Sequence, residues 1–146
     1  MNIQPDFEDF LRLLETHRVD YMIVGGYAVA FHGFPRFTKD LDIFFDSATE
    51  NVERLRQTLI DFGFREDSVR GESFQVSGNV IVIGTAPVRI DLINRIDGVT
   101  FEEARPNVVR GRYSDVDVTF ISRQDLVRNK QSTTRAKDKA DVEELS

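Results

Sequence analysis

The sequence predicts an α+β fold built around a mixed β-sheet. Segments with helical spacing of apolar residues and segments with strand-like spacing follow one another without a regular βαβ alternation, which argues against an all-parallel sheet. A glycine pair directly after the first predicted strand and an Asp-x-Asp motif in the second mark the region where we expect chemistry.

Length and composition are those of one ordinary globular domain. The 146 residues are 40% hydrophobic and 30% charged, which is enough to bury a substantial core, and we expect a single domain over residues 1–146. The aromatic residues are twelve Phe, three Tyr and no Trp. Because Phe has no polar group, most of these rings are expected in the core.

The elements of the first half are predicted from apolar spacing and from breakers. A first helix, capped by Asp6, carries one apolar face formed by Phe7, Phe10, Leu11 and Leu14. The next elements are a buried strand over Tyr21–Val24, a break at Gly25-Gly26, a short helix over 27–32, a strand over 41–45 and a helix from Ser47 or Thr49 to Phe62.

The second half is predicted to be mostly strand. The predicted elements are a hairpin of 74–76 with 80–83 around Ser77-Gly78-Asn79, a strand over 88–93, one helical turn over 101–104, strands over 108–113 and 116–121, a helix through Lys130 and a last helix over 137–145. Ser122 is expected to cap the helix through Lys130, with Asp125 completing a capping box.

Two absences restrict the chemistry. The chain has no cysteine and two histidines, so thiolate zinc sites, disulfides, cysteine nucleophiles and histidine-rich metal sites are not expected. A bound metal should therefore have oxygen ligands, which favours Mg²⁺ or Mn²⁺. No signal peptide or membrane-spanning stretch is recognisable, and a cytoplasmic location is expected.

Charge is unevenly distributed along the chain. The net charge is −6, which argues against nonspecific binding to DNA. Residues 105–139, however, contain nine Lys or Arg against four Asp or Glu. This basic segment leaves room for a phosphate-bearing ligand or for one end of an RNA.

The glycine pair and the Asp-x-Asp motif together indicate a nucleotide site. Asp40 and Asp42 lie on one face of a strand because side chains alternate along it, and two adjacent carboxylates are unfavourable unless a cation binds. Two metal ions about 4 Å apart could then activate a hydroxyl and stabilise a leaving pyrophosphate. Gly25 and Gly26 allow close backbone approach to a phosphate.

A third carboxylate, Asp91, lies in an apolar strand and needs a partner. It could complete the metal site and accept the proton of an acceptor hydroxyl, or it could form a salt bridge with Arg89 or Arg95. A second Asp-x-Asp motif, Asp115 and Asp117, has no preceding glycine pair and is interpreted as a solvated strand face.

Several other polar residues are candidates for phosphate contacts, each with a purely structural alternative. They are Arg36, Thr38 and Lys39 before the Asp-x-Asp strand and Lys130 near the C-terminus, where Lys137 and Asp138 are candidates for a supporting role. Lys130 could instead interact with the end of its helix, and Lys137 could pair with Asp141 one turn later. His32 is interpreted as a polar helix end.

These motifs resemble those of the DNA-polymerase-β-like nucleotidyltransferase superfamily. The resemblance rests on Gly25-Gly26, thirteen intervening residues and Asp40-Leu41-Asp42, and is supported by the segment 137–142. A bacterial branch of small nucleotidyltransferases, similar to AbiEii-type toxins of toxin–antitoxin systems, is similar over about 21–145. Where this branch often has Gly-Arg-Pro, the chain has Thr134-Arg135-Ala136.

The resemblance implies a mixed sheet with helices packed on one side. It also implies Mg²⁺ held by Asp40, Asp42 and Asp91, and triphosphate contacts from Gly25, Gly26 and Lys130. The expected reaction is transfer of a nucleoside monophosphate from an NTP to a hydroxyl of a tRNA 3′ end, a partner protein or a small molecule such as an antibiotic. The alternative is an inactive nucleotide-binding or protein-interaction module that keeps the fold.

Overall fold

A computed structural model describes residues 4–34, 38–85, 88–133, 142 and 145. The helices are α1 (Pro5–Thr16), α2 (Gly25–Phe31), α3 (Thr49–Phe62), α4 (Gly71–Gln75), α5 (Phe101–Ala104) and α6 (Arg123–Gln131), with 3₁₀ turns at Glu66–Ser68 and Arg105–Asn107. The strands are β1 (Tyr21–Val24), β2 (Asp40–Phe45), β3 (Val80–Thr85), β4 (Val88–Ile93), β5 (Val109–Tyr113) and β6 (Val116–Phe120).

The six strands form one mixed sheet in the order β3-β4-β2-β1-β6-β5. Strand β2 runs parallel to β4 and antiparallel to β1, and β1 runs parallel to β6. The outer pairs β3–β4 and β5–β6 are antiparallel. This arrangement confirms the predicted α+β class with a mixed sheet.

The core lies where the apolar faces of the helices meet the central strands. All four residues of β1 are buried, as expected for a strand in the middle of the sheet. The apolar face predicted for α1 is confirmed, since Phe7, Phe10, Leu11 and Leu14 are fully buried. Aromatic rings meet edge-to-face within the core, for example Phe10 with Phe62 and Phe45 with Phe74.

One predicted strand pairing is wrong. Phe74 belongs to α4, and the partner of β3 is the following strand β4, paired from Val80–Ile93 to Thr85–Val88. The predicted turn at residues 77–79 instead follows α4. The Asn94 side chain holds it there, because Nδ2 donates to the carbonyls of Phe74 and Val76 and Oδ1 accepts from Gly78 N–H. A side chain 16 residues away in sequence therefore stabilises this loop.

Three details of the helix starts also differ from prediction. Gln4, not Asp6, is the N-cap of α1, because Pro5 at the first helical position has the backbone angle that a helix start requires. Gly25-Gly26 does not precede α2 but forms its first turn. Ser122 does cap α6 by accepting from Asp125 N–H, but the Asp125 carboxylate contacts Asn107 and Arg128 instead of completing a capping box.

The C-terminal helix predicted over residues 137–145 lies almost entirely outside the described residues. Leu145 is described and buried, and Arg123 Nε donates to its carbonyl at 2.7 Å. Within the described part of the chain, no helix has the length and apolar character needed to cross a bilayer.

Candidate active site

The carboxylates predicted from separate parts of the chain lie on two neighbouring strands. Asp40 and Asp42 are on one face of β2, and the parallel strand β4 places Asp91 directly beside Asp42 and Arg89 beside Asp40. The side chain of Asp40 is 38% exposed and that of Asp91 is 15% exposed. The sheet therefore brings three acidic groups and one arginine to a single, partly solvated position.

Arg89 forms a two-point ion pair with Asp91. Its Nε donates to Asp91 Oδ1 at 2.8 Å and one terminal nitrogen donates to Oδ2 at 3.2 Å, while Nε lies 3.9 Å from Asp40 Oδ2. The hydrogen bonds to Asp91 raise the pKa of the Arg89 guanidinium above its usual value, and Asp40 and Asp42 add to this effect. Of the two partners that the sequence allowed for Asp91, the structure selects Arg89.

The glycine pair lies against these carboxylates. Gly25, at the junction of β1 and α2, has φ +68°, a conformation that side-chain-bearing residues rarely adopt. A Cβ atom at this position would overlap the carboxylate of Asp42. Gly25 is thus required both for its backbone angle and for the close approach of Asp42 to the backbone.

Gly26 serves the same region through a different contact. A Cβ atom at Gly26 would lie 2.6 Å from Thr38 Oγ1, so the absent side chain is what allows Thr38 to approach α2. Thr38 Oγ1 also lies 3.4 Å from the Asp40 carbonyl, to which it donates a long hydrogen bond. The predicted site residue Thr38 is therefore located beside the glycine pair and at the start of β2.

A cavity of about 210 Å³ opens beside Gly25 and Asp42. Its wall includes Lys130, which α6 supplies and which is only 5% exposed. The other polar residues of the lining are Arg95, Asp97, Asn129 and Thr133. A larger cavity of about 620 Å³ lies between α4 and β3, but no predicted site residue lines it.

The cavity wall combines two cationic side chains, Lys130 and Arg95, with two carboxylates, Asp42 and Asp97. Lys130 and Arg95 provide positive charge and hydrogen-bond donors. The Asn129 amide and the Thr133 hydroxyl donate to the carbonyls of Asp97 and Lys130, respectively. Sequence reasoning singled out Lys130 but missed Asn129 and Thr133, and it considered Arg95 only as a salt-bridge partner. The sequence contains only a weak signal for this grouping, because these residues come close to one another only when α6 packs near the end of β4.

The carboxylates fit a divalent cation by their chemistry. Mg²⁺ and Mn²⁺ bind carboxylate oxygens, and a partly buried row of acidic side chains requires positive charge nearby. Here the Arg89 guanidinium supplies that charge. Among the described residues, no three His, Asp or Glu side chains are grouped as a ready-made metal site. The oxygen donors are therefore of a suitable kind, but their side chains are not grouped around one point, and Asp91 is paired with Arg89.

The remaining predicted residues divide into three groups. Asp117 is 71% exposed and pairs with Arg112 at 3.4 Å, as expected for a solvated strand face. His32 lies at the end of α2 and its ring Nε2 donates to the Ile121 carbonyl at 2.8 Å, a structural role. Arg36, Lys137 and Asp138 lie outside the described residues.

A scan against protein-family models matches residues 6–146 to the family described as nucleotidyltransferase of unknown function, DUF6036. The chain belongs to this nucleotidyltransferase family. A search of curated proteins found no significant match. The family match accords with the glycine pair and carboxylates described above, which are the features that led to the nucleotidyltransferase resemblance.

The fold is also that of a solved nucleotidyltransferase. The chain is similar to the lincosamide antibiotic adenylyltransferase LnuA, whose crystal structure is lincomycin-bound, with a TM-score of 0.57 and 17% sequence identity. The similarity covers 99% of this chain and 98% of LnuA. At 17% identity, the comparison shows that this chain and LnuA share a fold, and no more.

Proposed function

We propose that this nucleotidyltransferase transfers a nucleoside monophosphate from an NTP to a hydroxyl acceptor in a metal-dependent reaction. The observation that carries the proposal is the meeting of Gly25, Asp42 and Lys130 at one cavity. Gly25 allows the Asp42 carboxylate to approach the backbone, and Lys130 lines the same cavity. A bound triphosphate would have backbone amides, a lysine and metal-binding oxygens around it.

Each residue has a defined part in this proposal. Asp40, Asp42 and Asp91 would hold Mg²⁺ or Mn²⁺ ions, which, when bound, supply charge neutralisation for the triphosphate and lower the pKa of a coordinated hydroxyl. Lys130, the amides of Gly25 and Gly26, Thr38 and Arg36 would contact the phosphates, with Lys137 and Asp138 in support. Asp91 would accept the proton of the acceptor hydroxyl as it attacks the α-phosphate.

The protein would act by positioning and electrostatics, without a covalent intermediate. Attack by the acceptor oxygen forms a bond to the α-phosphorus, and the bond to the bridging oxygen of the β-phosphate breaks. Pyrophosphate then leaves. Lys130 and Arg95 line the cavity beside Asp42, where positive charge would stabilise the leaving group.

For the acceptor, we propose a hydroxyl of a tRNA 3′ end or of a partner protein, within a toxin–antitoxin system. This part of the proposal rests on the resemblance to AbiEii-type toxins. Four of the five described arginines of the basic segment do not add to it, because each lies within 4 Å of a carboxylate: Arg105, Arg110, Arg112 and Arg128. Their positive charge is therefore largely neutralised within the fold.

Label transfer tests the reaction and the acceptor together. The protein is incubated with each radiolabelled NTP, Mg²⁺ and total cell RNA or total cell protein, and Asp42→Ala is compared with the wild type. Asp117→Ala is the matched control, because it removes an exposed aspartate from a similar strand motif. We expect label transfer by the wild type and Asp117→Ala, and loss of transfer in Asp42→Ala. Equal transfer by all three proteins would refute the assignment of Asp42.

A second candidate function is a nucleotide-binding module without catalysis, and the Arg89–Asp91 ion pair is the observation that favours it. Isothermal titration with ATP and with CTP, each with and without Mg²⁺, separates the two. Nucleotide binding without pyrophosphate release in the presence of every acceptor pool would support the module. Pyrophosphate release that depends on an acceptor supports the enzyme.

A further inference from the structure

Arg89 occupies the place that a metal ion would need. Its guanidinium bonds to both oxygens of Asp91 and approaches Asp40 Oδ2 to 3.9 Å. An arginine in this geometry uses one of the two lone pairs on each carboxylate oxygen. A cation bound at the remaining lone pairs of Asp91 would lie close to the positive charge of the guanidinium, which opposes its binding.

The register of the sheet places Arg89 and the three carboxylates on one face. Arg89 and Asp91 are two residues apart on β4, so their side chains emerge on the same face. The pairing of β4 with β2 adds Asp40 beside Arg89 and Asp42 beside Asp91. The Arg89 side chain therefore supplies a positive charge among the carboxylates of Asp40, Asp42 and Asp91.

We propose that Arg89 acts as an internal counter-ion that competes with divalent metal for Asp91, and so sets the metal affinity of the unliganded protein. Metal binding then requires the guanidinium to leave Asp91. The Arg89 side chain is 40% exposed, which gives it room to turn toward solvent. The inference rests on the proposed metal site but not on the transfer reaction.

Removal of the guanidinium should expose the competition. In Arg89→Gln, Asp91 loses its internal cation, so Mn²⁺ should bind about two- to fivefold more tightly, the upper part of the range expected for removal of a partly solvated ion pair. Arg89→Lys keeps the charge but loses the two-point geometry, and it should give a smaller increase. Binding is measured by electron paramagnetic resonance of free Mn²⁺, without nucleotide.

Arg112→Gln is the matched control. It removes the same charge from an exposed ion pair with Asp117 on the β5–β6 hairpin. Any effect of net charge alone would appear equally in both glutamine variants. We expect Arg112→Gln to bind Mn²⁺ within about 1.5-fold of the wild type, because exposed and screened charges interact weakly.

Thermal unfolding gives a second readout. Without metal, Arg89→Gln should melt at a lower temperature than the wild type, because the carboxylates then repel one another without compensation. Saturating Mn²⁺ should remove this difference. Mn²⁺ affinity in Arg89→Gln that is equal to or weaker than wild type would overturn the inference, since Arg89 would then support the ligands instead of competing with the metal.

The outcome is distinguishable from failure of the proposed function. Tighter Mn²⁺ binding by Arg89→Gln with no label transfer by any variant would support the role of Arg89 as a counter-ion and refute the transferase reaction. Label transfer by the wild type, with no Mn²⁺ binding detected at millimolar concentration for the wild type or Arg89→Gln, would overturn only the proposal that Arg89 competes with the metal.

Discussion

Replacement of Gly25 by alanine should damage both the fold and the metal-binding face. The backbone angle φ +68° disfavours an L-residue by about 1–2 kcal/mol. The new methyl group would also overlap the Asp42 carboxylate, and forced overlap of this kind costs about 1–3 kcal/mol. The sum is about 2–5 kcal/mol, which for a chain of this length lowers the melting temperature by roughly 4–20 °C.

A double-mutant cycle isolates the contact from the backbone strain. Urea unfolding is measured for the wild type, Gly25→Ala, Asp42→Ala and the double variant. Because Asp42→Ala removes the carboxylate that the methyl group would overlap, the double variant should be more stable than the two single effects predict by about 1–3 kcal/mol. Gly63→Ala, where an added Cβ would contact nothing within 4 Å, provides the comparison and should be additive with Asp42→Ala.

The cycle can contradict the structural argument directly. Free energies of unfolding for Gly25→Ala and Asp42→Ala that add within about 0.5 kcal/mol would show that the two residues do not interact. The close approach of Asp42 to the β1–α2 junction would then be wrong, and with it the geometry on which the proposed function rests.

Three further predictions concern the core, the tyrosines and the second acidic motif. Asn51, 1% exposed, bonds to the Asp20 amide and to two carbonyls, so Asn51→Ala should lower the free energy of unfolding in urea by about 2–4 kcal/mol; a loss below about 0.5 kcal/mol would contradict this. Burial raises the pKa of every tyrosine in the chain, so absorbance at 295 nm should show little ionisation of the folded protein near pH 10. These tyrosines are Tyr21, Tyr27 and Tyr113. The pKa values of these tyrosines are higher in the folded than in the unfolded protein, so the tyrosines stabilise the fold fully below pH about 10, and this contribution is lost as the pH rises above it. Ionisation of all three tyrosines in the folded protein near pH 10 would refute their burial. Asp117→Ala should leave Mn²⁺ affinity within about 1.5-fold of wild type because Asp117 is exposed and screened, and a tenfold loss would show that the second acidic motif binds metal.

Predictions that depend on local spacing were the successful ones. The apolar face of α1 and the strand Tyr21–Val24 follow from periodicity that is visible within a few residues. The same holds for the exposed position of Asp117, because Val116 and Val118 alternate with it and point inward. These features require no knowledge of distant parts of the chain.

Predictions that depend on distant contacts were less complete. The strand β3 was paired with the wrong segment because two apolar runs with a Ser-Gly-Asn turn between them look like a hairpin, whereas Asn94 holds that turn after a helix. The role of Arg95 as part of the cavity wall was also missed. Its proximity to Lys130 depends on the packing of α6 against the loop after β4.

The sequence by itself determined that Asp40 and Asp42 share a face and that a glycine pair precedes them, because backbone pleat and glycine geometry are local properties. Only the tertiary structure decided that Asp91 lies beside Asp42 and that Arg89 holds it. That decision belongs to the strand order and to the parallel register of β2 and β4. Strand order is set by the burial of whole apolar faces across the molecule, and no short segment contains that information.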